Sequence, residues 1–222
     1  MRNPRVIMPT GLVLLIACCV VFILSALTVT SQRVRMDEKG LAFMVGVSEA
    51  VPFLHVWEWV SFFGSKWGII SISLIVAVVL ILAKRDYIGV VTLFVFVGGG
   101  DVINKAVKEW IARPRPVLHV EGYSFPSGHS MIGTIVYGLI IFFLFLHMKN
   151  QRVKIISAYG LVILLMLIGL SRLILIEHYL TDVIAGYSLG GILLLMAIAC
   201  YNLTYAFLNP KPSSYPINQT TS

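Results

Sequence analysis

Three short groups of residues in this 222-residue chain carry chemistry in their types and spacing. The first is Lys108 with Arg115 and Pro116, the second is Pro126-Ser127-Gly128-His129, and the third is Ser171-Arg172 followed by His178 and Asp182. Lys108, Arg115 and Arg172 offer three fixed positive charges. They suit a dianionic phosphate, whose oxygens accept charge-assisted hydrogen bonds, bidentate from arginine. The Pro-Ser-Gly-His turn leads into a helix N-terminus, where free backbone N–H groups and the helix dipole favour an anion. Ser127 can cap that helix, and Gly128 lets backbone approach a phosphate closely. His178 and Asp182 are four residues apart and share a face if the last helix begins before them. A carboxylate on one imidazole nitrogen fixes the tautomer and leaves the other nitrogen as nucleophile or base. His129 is then free to protonate the leaving oxygen. Two histidines, one attacking and one donating, fit phosphoryl transfer with no metal and no cofactor.

The elements that must position these groups are membrane spans. Apolar residues make up 58% of the chain and charged ones 12%, with a mean hydropathy of +0.91. A soluble domain averages about 45–50% apolar and ~25% charged, so a soluble fold, a disordered chain and a disulfide scaffold are all excluded. Crossing a bilayer takes roughly 20 apolar residues, and six stretches qualify: Val6 to Gln32, Trp67 to Ala83, Tyr87 through Gly100 towards Trp110, Ser130 to Leu146, Ile155 to Ser171, and Val183 to Leu208. The first is too long for a secretory h-region and is expected to stay uncleaved. The expected architecture is an all-α integral membrane protein of six transmembrane helices. Residues 1–208 would form one domain and residues 209–222 a flexible tail. Arg33 to Lys66 reads either as an interfacial amphipathic segment, with Phe43, Phe53, Trp57 and Trp59 in an aromatic belt, or as a plain connecting loop. Gly186 and Gly190 form a small-xxx-small pattern expected to pack a neighbouring helix closely.

The net charge of +7 does not point to nucleic acid, because the cations flank apolar runs, where they anchor spans and meet anionic head groups. The partners expected are membrane lipids and an anionic phospholipid or polyprenyl phosphate substrate. With the N-terminus inside, Arg2, Arg5, Lys84, Arg85, Lys149, Arg152, Lys154 and Lys211 lie on the inner side, almost half of the 17 cations. Assigning Lys108, Arg115 and Arg172 to chemistry gives the inner side the lead, so both termini are expected inside. Cys18, Cys19 and Cys200 sit within apolar runs and read as small apolar residues. Charges beside a span cost ~2.5–3.5 kcal/mol on insertion scales and are functional candidates by default. With six spans, the connections after the third and fifth lie on one side, so all three groups can meet at one membrane face.

These residues resemble the signature of the type 2 phosphatidic acid phosphatase family of integral membrane lipid phosphatases. Its three motifs, K-x6-RP, PSGH and SR-x5-H-x3-D, match at Lys108 with Arg115-Pro116, at Pro126 to His129, and at Ser171-Arg172 with His178 and Asp182. The resemblance implies a metal-independent phosphatase in which His178 attacks phosphorus to form a phosphohistidine, Asp182 orients it, and His129 acts as general acid and then base. Lys108, Arg115, Ser127, Gly128 and Arg172 would hold the phosphate, in a site facing the extracytoplasmic side. The compact plan is similar to that of bacterial members acting on phosphatidylglycerophosphate, with undecaprenyl pyrophosphate and phosphatidic acid as alternative substrates. Arg113 is expected to contact the head group, and His119, Glu121 and Tyr123 either touch substrate or are simple loop polarity. Leu180 and Ile176-Glu177 depart from common family members, which usually have proline at the former and small residues at the latter. From other classes, a transporter would show broken helices in two repeated halves, and no half-repeat is found; a lipid-binding scaffold would keep phosphate binding without His178.

Overall fold

The computed structural model describes residues 7–30, 35–50, 53–117 and 120–210, and every regular element among them is helical. In chain order these are α1 (Ile7–Thr30), α2 (Arg35–Ala50), α3 (Leu54–Phe62), α4 (Lys66–Val79, extended by a π-helical turn Leu80–Lys84), α5 (Tyr87–Ile111), α6 (Gly128–His147), α7 (Gln151–Ile174) and α8 (Leu180–Leu208). Six of them, all but α2 and α3, are long and apolar enough to cross a bilayer. The six expected spans are therefore present. Arg2, Arg5, Arg33, His119 and residues 211–222 of the expected tail lie outside the described residues.

Polar side chains start the helices where the sequence supplies them. Ser65 accepts from the amide of Gly68, Asp86 from Gly89, Ser127 from Ser130, and Asn150 from Arg152 and Val153; each satisfies a donor the first turn leaves free. At the other end of α5, Ala112 turns the chain out in the left-handed region at φ 50°.

Among the described residues, those between the first two spans are mostly helical, in α2 and α3, so they are not a plain connecting loop. Phe43, Phe53 and Trp59 are exposed on α2 and α3 or at their edge, as an interfacial segment requires. Asp37 is the exception on α2, since it is buried.

The most buried of the spans is α6, and α1 is the least. Around α6 gathers a core of Leu93, Met131, Ile135, Val136 and Leu139. Its largest interface is with α8, because Gly186 and Gly190 remove the side chains that would separate the backbones. A Cβ on Gly186 would stand 2.6 Å from the carbonyl oxygen of Ser127, and one on Gly190 2.5 Å from that of Met131. The close packing expected of this pair is present. Gly191 similarly admits Cys18 of α1, where a Cβ would lie 2.9 Å from Sγ, so this thiol serves as packing volume.

The chain direction places the C-termini of α5 and α7 and the N-termini of α6 and α8 at one end of the bundle. At the opposite end, Asp86 joins three spans: it caps α5 and accepts from Tyr201 Oη of α8 at 2.9 Å, and its carboxylate pairs with His147 of α6 at 2.7 Å.

Candidate functional site

The three motifs meet at the first of these ends. The amide of Ser127 donates to the carbonyl of Asp182 at 2.9 Å, locking the Pro-Ser-Gly-His turn to the start of α8. Asn104 of α5 is buried within its span, and its amide reaches the carbonyl of Pro126 at 3.4 Å. Lys108 donates to the carbonyls of Tyr123, at 2.5 Å, and Ser124, at 3.3 Å, so the first motif holds the loop that delivers the second. Arg115, Arg172 and Asp182 lie within electrostatic reach of Lys108.

His178 stands outside α8, which begins at Leu180, so the shared helical face expected for His178 and Asp182 is not what pairs them. Asp182 occupies the third position of the helix and folds back in a capping box, accepting the amide of Tyr179 at 3.0 Å. The same oxygen stands 3.4 Å from His178 Nδ1, and His178 Nε2 lies 3.4 Å from an Arg115 Nη. A proton on Nδ1 faces Asp182, which leaves Nε2 as an unprotonated lone pair beside a cation. That is the tautomer a nitrogen nucleophile needs.

Burial, with Lys108 and Arg172 adding to it and Asp182 opposing, pushes the His178 imidazole down to about 4. The ring is neutral at pH 7 and remains so well into acid. In ¹⁵N-histidine NMR of the protein in micelles, the His178 nitrogens should keep their neutral shifts down to about pH 5. A midpoint near the ordinary histidine value would contradict the geometry.

The cation-bearing side chains are engaged with the chain itself. Arg115 donates to the carbonyls of Gly122 and Glu177 at 3.3 and 3.2 Å. Gly122 adopts φ 80° in that loop, a conformation glycine takes without penalty. Arg172 is ion-paired with Glu177 and donates to Ser61 Oγ at the end of α3. Its Nε–H is buried without an acceptor, a donor left over where an anion would bind.

One expectation is corrected. Arg113 does not face a head group: it is buried, with one Nη 2.8 Å from Asp37 and the other 2.7 Å from Asp182, while its guanidinium lies 3.8 Å from the Tyr179 ring centroid. Thr181 completes this network, its amide and hydroxyl donating to Asp37 at 3.1 and 2.6 Å. In a connection without regular structure, such as residues 112–115, only the tertiary partners decide which way each arginine turns. Glu121 is exposed, whereas Tyr123 contributes its backbone carbonyl to Lys108.

Asp37 and Ser61 were not among the expected site residues. Nothing local marks them, since their partners lie 144 and 111 residues away, and Asp37 shares the first turn of α2 with a second acid, Glu38. Gly64 belongs with them, because a Cβ there would meet the His129 ring at 3.0 Å, and Tyr137 fastens the same turn by donating to the Phe63 carbonyl at 2.8 Å. The helices α2 and α3 thus form a strap across the motif cluster. Beside it a cleft of about 480 Å³ opens between Val29 of α1 and the Ile111–Pro114 connection, with Tyr179 on its wall.

The comparisons with known proteins agree with this picture. Residues 86–206 match the family model described as PAP2 superfamily. The chain is 31% identical over 181 residues to phosphatidylglycerophosphatase B of Bacillus subtilis, covering 78% of this chain and 87% of that protein. A PA-phosphatase related-family protein of Dictyostelium discoideum is 34% identical over 90 residues, 38% of this chain and 24% of its own length. The crystal structure of a transmembrane PAP2 type phosphatidylglycerolphosphate phosphatase from Bacillus subtilis superposes with a TM-score of 0.76 at 28% identity, covering 83% of this chain and 94% of that one. The matched segment spans all three motifs and takes in four of the six membrane helices, α5 to α8, and the likeness of sequence and of fold coincide: the chain is a multi-pass membrane phosphatase that belongs to the PAP2 superfamily.

Proposed function

We propose that this enzyme removes the terminal phosphate of phosphatidylglycerophosphate to leave phosphatidylglycerol, with His178 as the covalent carrier. The observation that carries the mechanism is the orientation of His178, with Nδ1 towards Asp182 and Nε2 towards Arg115. The likeness to phosphatidylglycerophosphatase B over most of both chains supports the substrate.

In the first step Nε2 of His178 attacks phosphorus, the P–N bond forms, the P–O bond to glycerol breaks, and His129 gives its proton to the leaving alkoxide. Asp182 stabilises the positive charge that develops on the imidazole. Lys108, Arg115 and Arg172, with Ser127 and Gly128 at the start of α6, neutralise the equatorial oxygens of the transferring group. In the second step His129 takes a proton from water, the hydroxide attacks phosphorus, and the P–N bond breaks to release inorganic phosphate. The cleft beside Val29 and Tyr179 gives the diacylglycerol portion a sideways route from the bilayer.

Residues 1–208 act as one catalytic unit, with 209–222 as a tail. With Lys108, Arg115 and Arg172 assigned to the phosphate, the cations of the inner loops outnumber the remaining outer ones, which supports cytoplasmic termini and a site on the extracytoplasmic face.

Protein purified in detergent with a chelator present should release phosphate from phosphatidylglycerophosphate with a higher kcat/KM than from phosphatidic acid or undecaprenyl pyrophosphate. A preference for either of the other lipids would move the assignment to that substrate. Phosphate binding with no release from any of the three would favour a scaffold.

A further inference from the structure

Glu177 immediately precedes His178, and its contacts give it a purpose of its own. Its carboxylate pairs with Arg172 and lies 3.9 Å from an Arg115 Nη, so one side chain bridges two of the cations assigned to the phosphate. The backbone is bent to put it there. Ile176 sits at φ 55°, a left-handed conformation that a β-branched residue rarely adopts. The next two amides, of Glu177 and His178, both donate to the carbonyl of Arg172 at 3.1 and 3.3 Å. The turn thereby folds Glu177 back over the residue whose carbonyl it encloses. Strain of this kind persists only where the surroundings enforce it, and it gathers at functional positions.

Two further observations show that the bridge does not complete the site. The Arg172 Nε–H remains buried without an acceptor. The Glu177 side chain is 22% exposed against 6% for Arg172, so the carboxylate stands at the mouth and can swing into solvent, while the arginine cannot follow it.

Resting on the phosphatase reading above, we propose that Glu177 is an internal counter-anion that competes with phosphate for Arg172 and Arg115. It neutralises them in the empty site, is displaced by the substrate's phosphate, and returns to expel inorganic phosphate after hydrolysis. A carboxylate and a phosphate dianion cannot share the same donors without repulsion, so the residue weakens the hold on every phosphate while leaving the chemistry to His178 and His129. Glu177 thereby sets how strongly product inhibits.

The test compares wild type with Glu177→Gln and Glu177→Asp. Inhibition by inorganic phosphate and by orthovanadate is measured during turnover of phosphatidylglycerophosphate in detergent, and thermal protection by the same two anions is measured without substrate. Glu177→Gln should lower the inhibition constant for phosphate at least about tenfold, which equals about 1.4 kcal/mol. It should lower KM in parallel and leave kcat equal or reduced as product release slows. Glu177→Asp, which keeps the charge on a shorter arm, should fall between. An unchanged inhibition constant overturns the proposal; a raised one overturns it too and makes Glu177 a support for Arg172. Thermal protection decides the matter even if no lipid is hydrolysed, in which case the phosphatase reading fails separately.

Discussion

Replacing His178 by alanine should lower the rate of phosphate release by roughly 10⁴- to 10⁶-fold, the scale seen when a covalent nucleophile is removed from a preorganised site. The fold should survive the change. His178 lies between α7 and α8, and Asp182 keeps its bonds to Arg113 and to the amide of Tyr179 without the ring. The cations that hold phosphate also remain, so the variant should still be protected against heat by inorganic phosphate. Phosphate release by the purified variant, measured beside that protection, separates catalysis from binding. Release within about tenfold of wild type would remove His178 from the mechanism.

The second large effect is expected at Arg113, a residue with no place in the three motifs. It is the sole positive charge among the described side chains in hydrogen-bond contact with both Asp37 and Asp182, and both carboxylates are essentially without solvent. Truncating one partner of a buried ion network typically costs about 3–5 kcal/mol, because the remaining charge has neither water nor a counter-ion. Arg113→Ala leaves two such carboxylates facing a void. Either the strap lifts away from Thr181 or a carboxylate takes up a proton, and a protonated Asp182 no longer supports a positive His178. The melting temperature in detergent should drop markedly and kcat should fall with it. Arg113→Lys, which restores charge without the planar fork, should recover part of the stability and less of the activity. A variant Arg113→Ala with wild-type melting temperature and kcat would show that the network contributes to neither.

This contrast between His178 and Arg113 also marks what a reader of the sequence can and cannot see. Span positions were legible, since each apolar run falls within or above the length range of a membrane helix, and their ends moved by only a few residues. One boundary mattered: α8 starts at Leu180, before the apolar run but after His178, so His178 meets Asp182 through a capping turn rather than along a helix face. The motif residues were legible because their chemistry is encoded in fixed short spacings. Asp37 and Ser61 were not, because a contact spanning more than a hundred residues leaves no local pattern. Arg113 was misassigned for the same reason, as its two carboxylate partners lie 76 and 69 residues away. Glu177 was visible as an oddity, but only its bridge between Arg115 and Arg172 gives the oddity meaning.

The glycine contacts between α6 and α8 have a consequence for life in membranes of varying thickness. Helices separated by long side chains can slide and tilt against one another when the hydrocarbon layer thins or swells. Gly186 and Gly190 instead seat α8 directly on the backbone of Ser127 and Met131, within the first turns of α6. These two helices cannot shift in register without collision, and their N-terminal ends carry His129, Ser127 and Asp182. Changes in bilayer thickness must therefore be absorbed by spans that face lipid, above all α1, whose span is the least buried. The reaction centre is insulated from the solvent it is embedded in, so turnover should depend on which lipid is presented far more than on how thick the surrounding bilayer is.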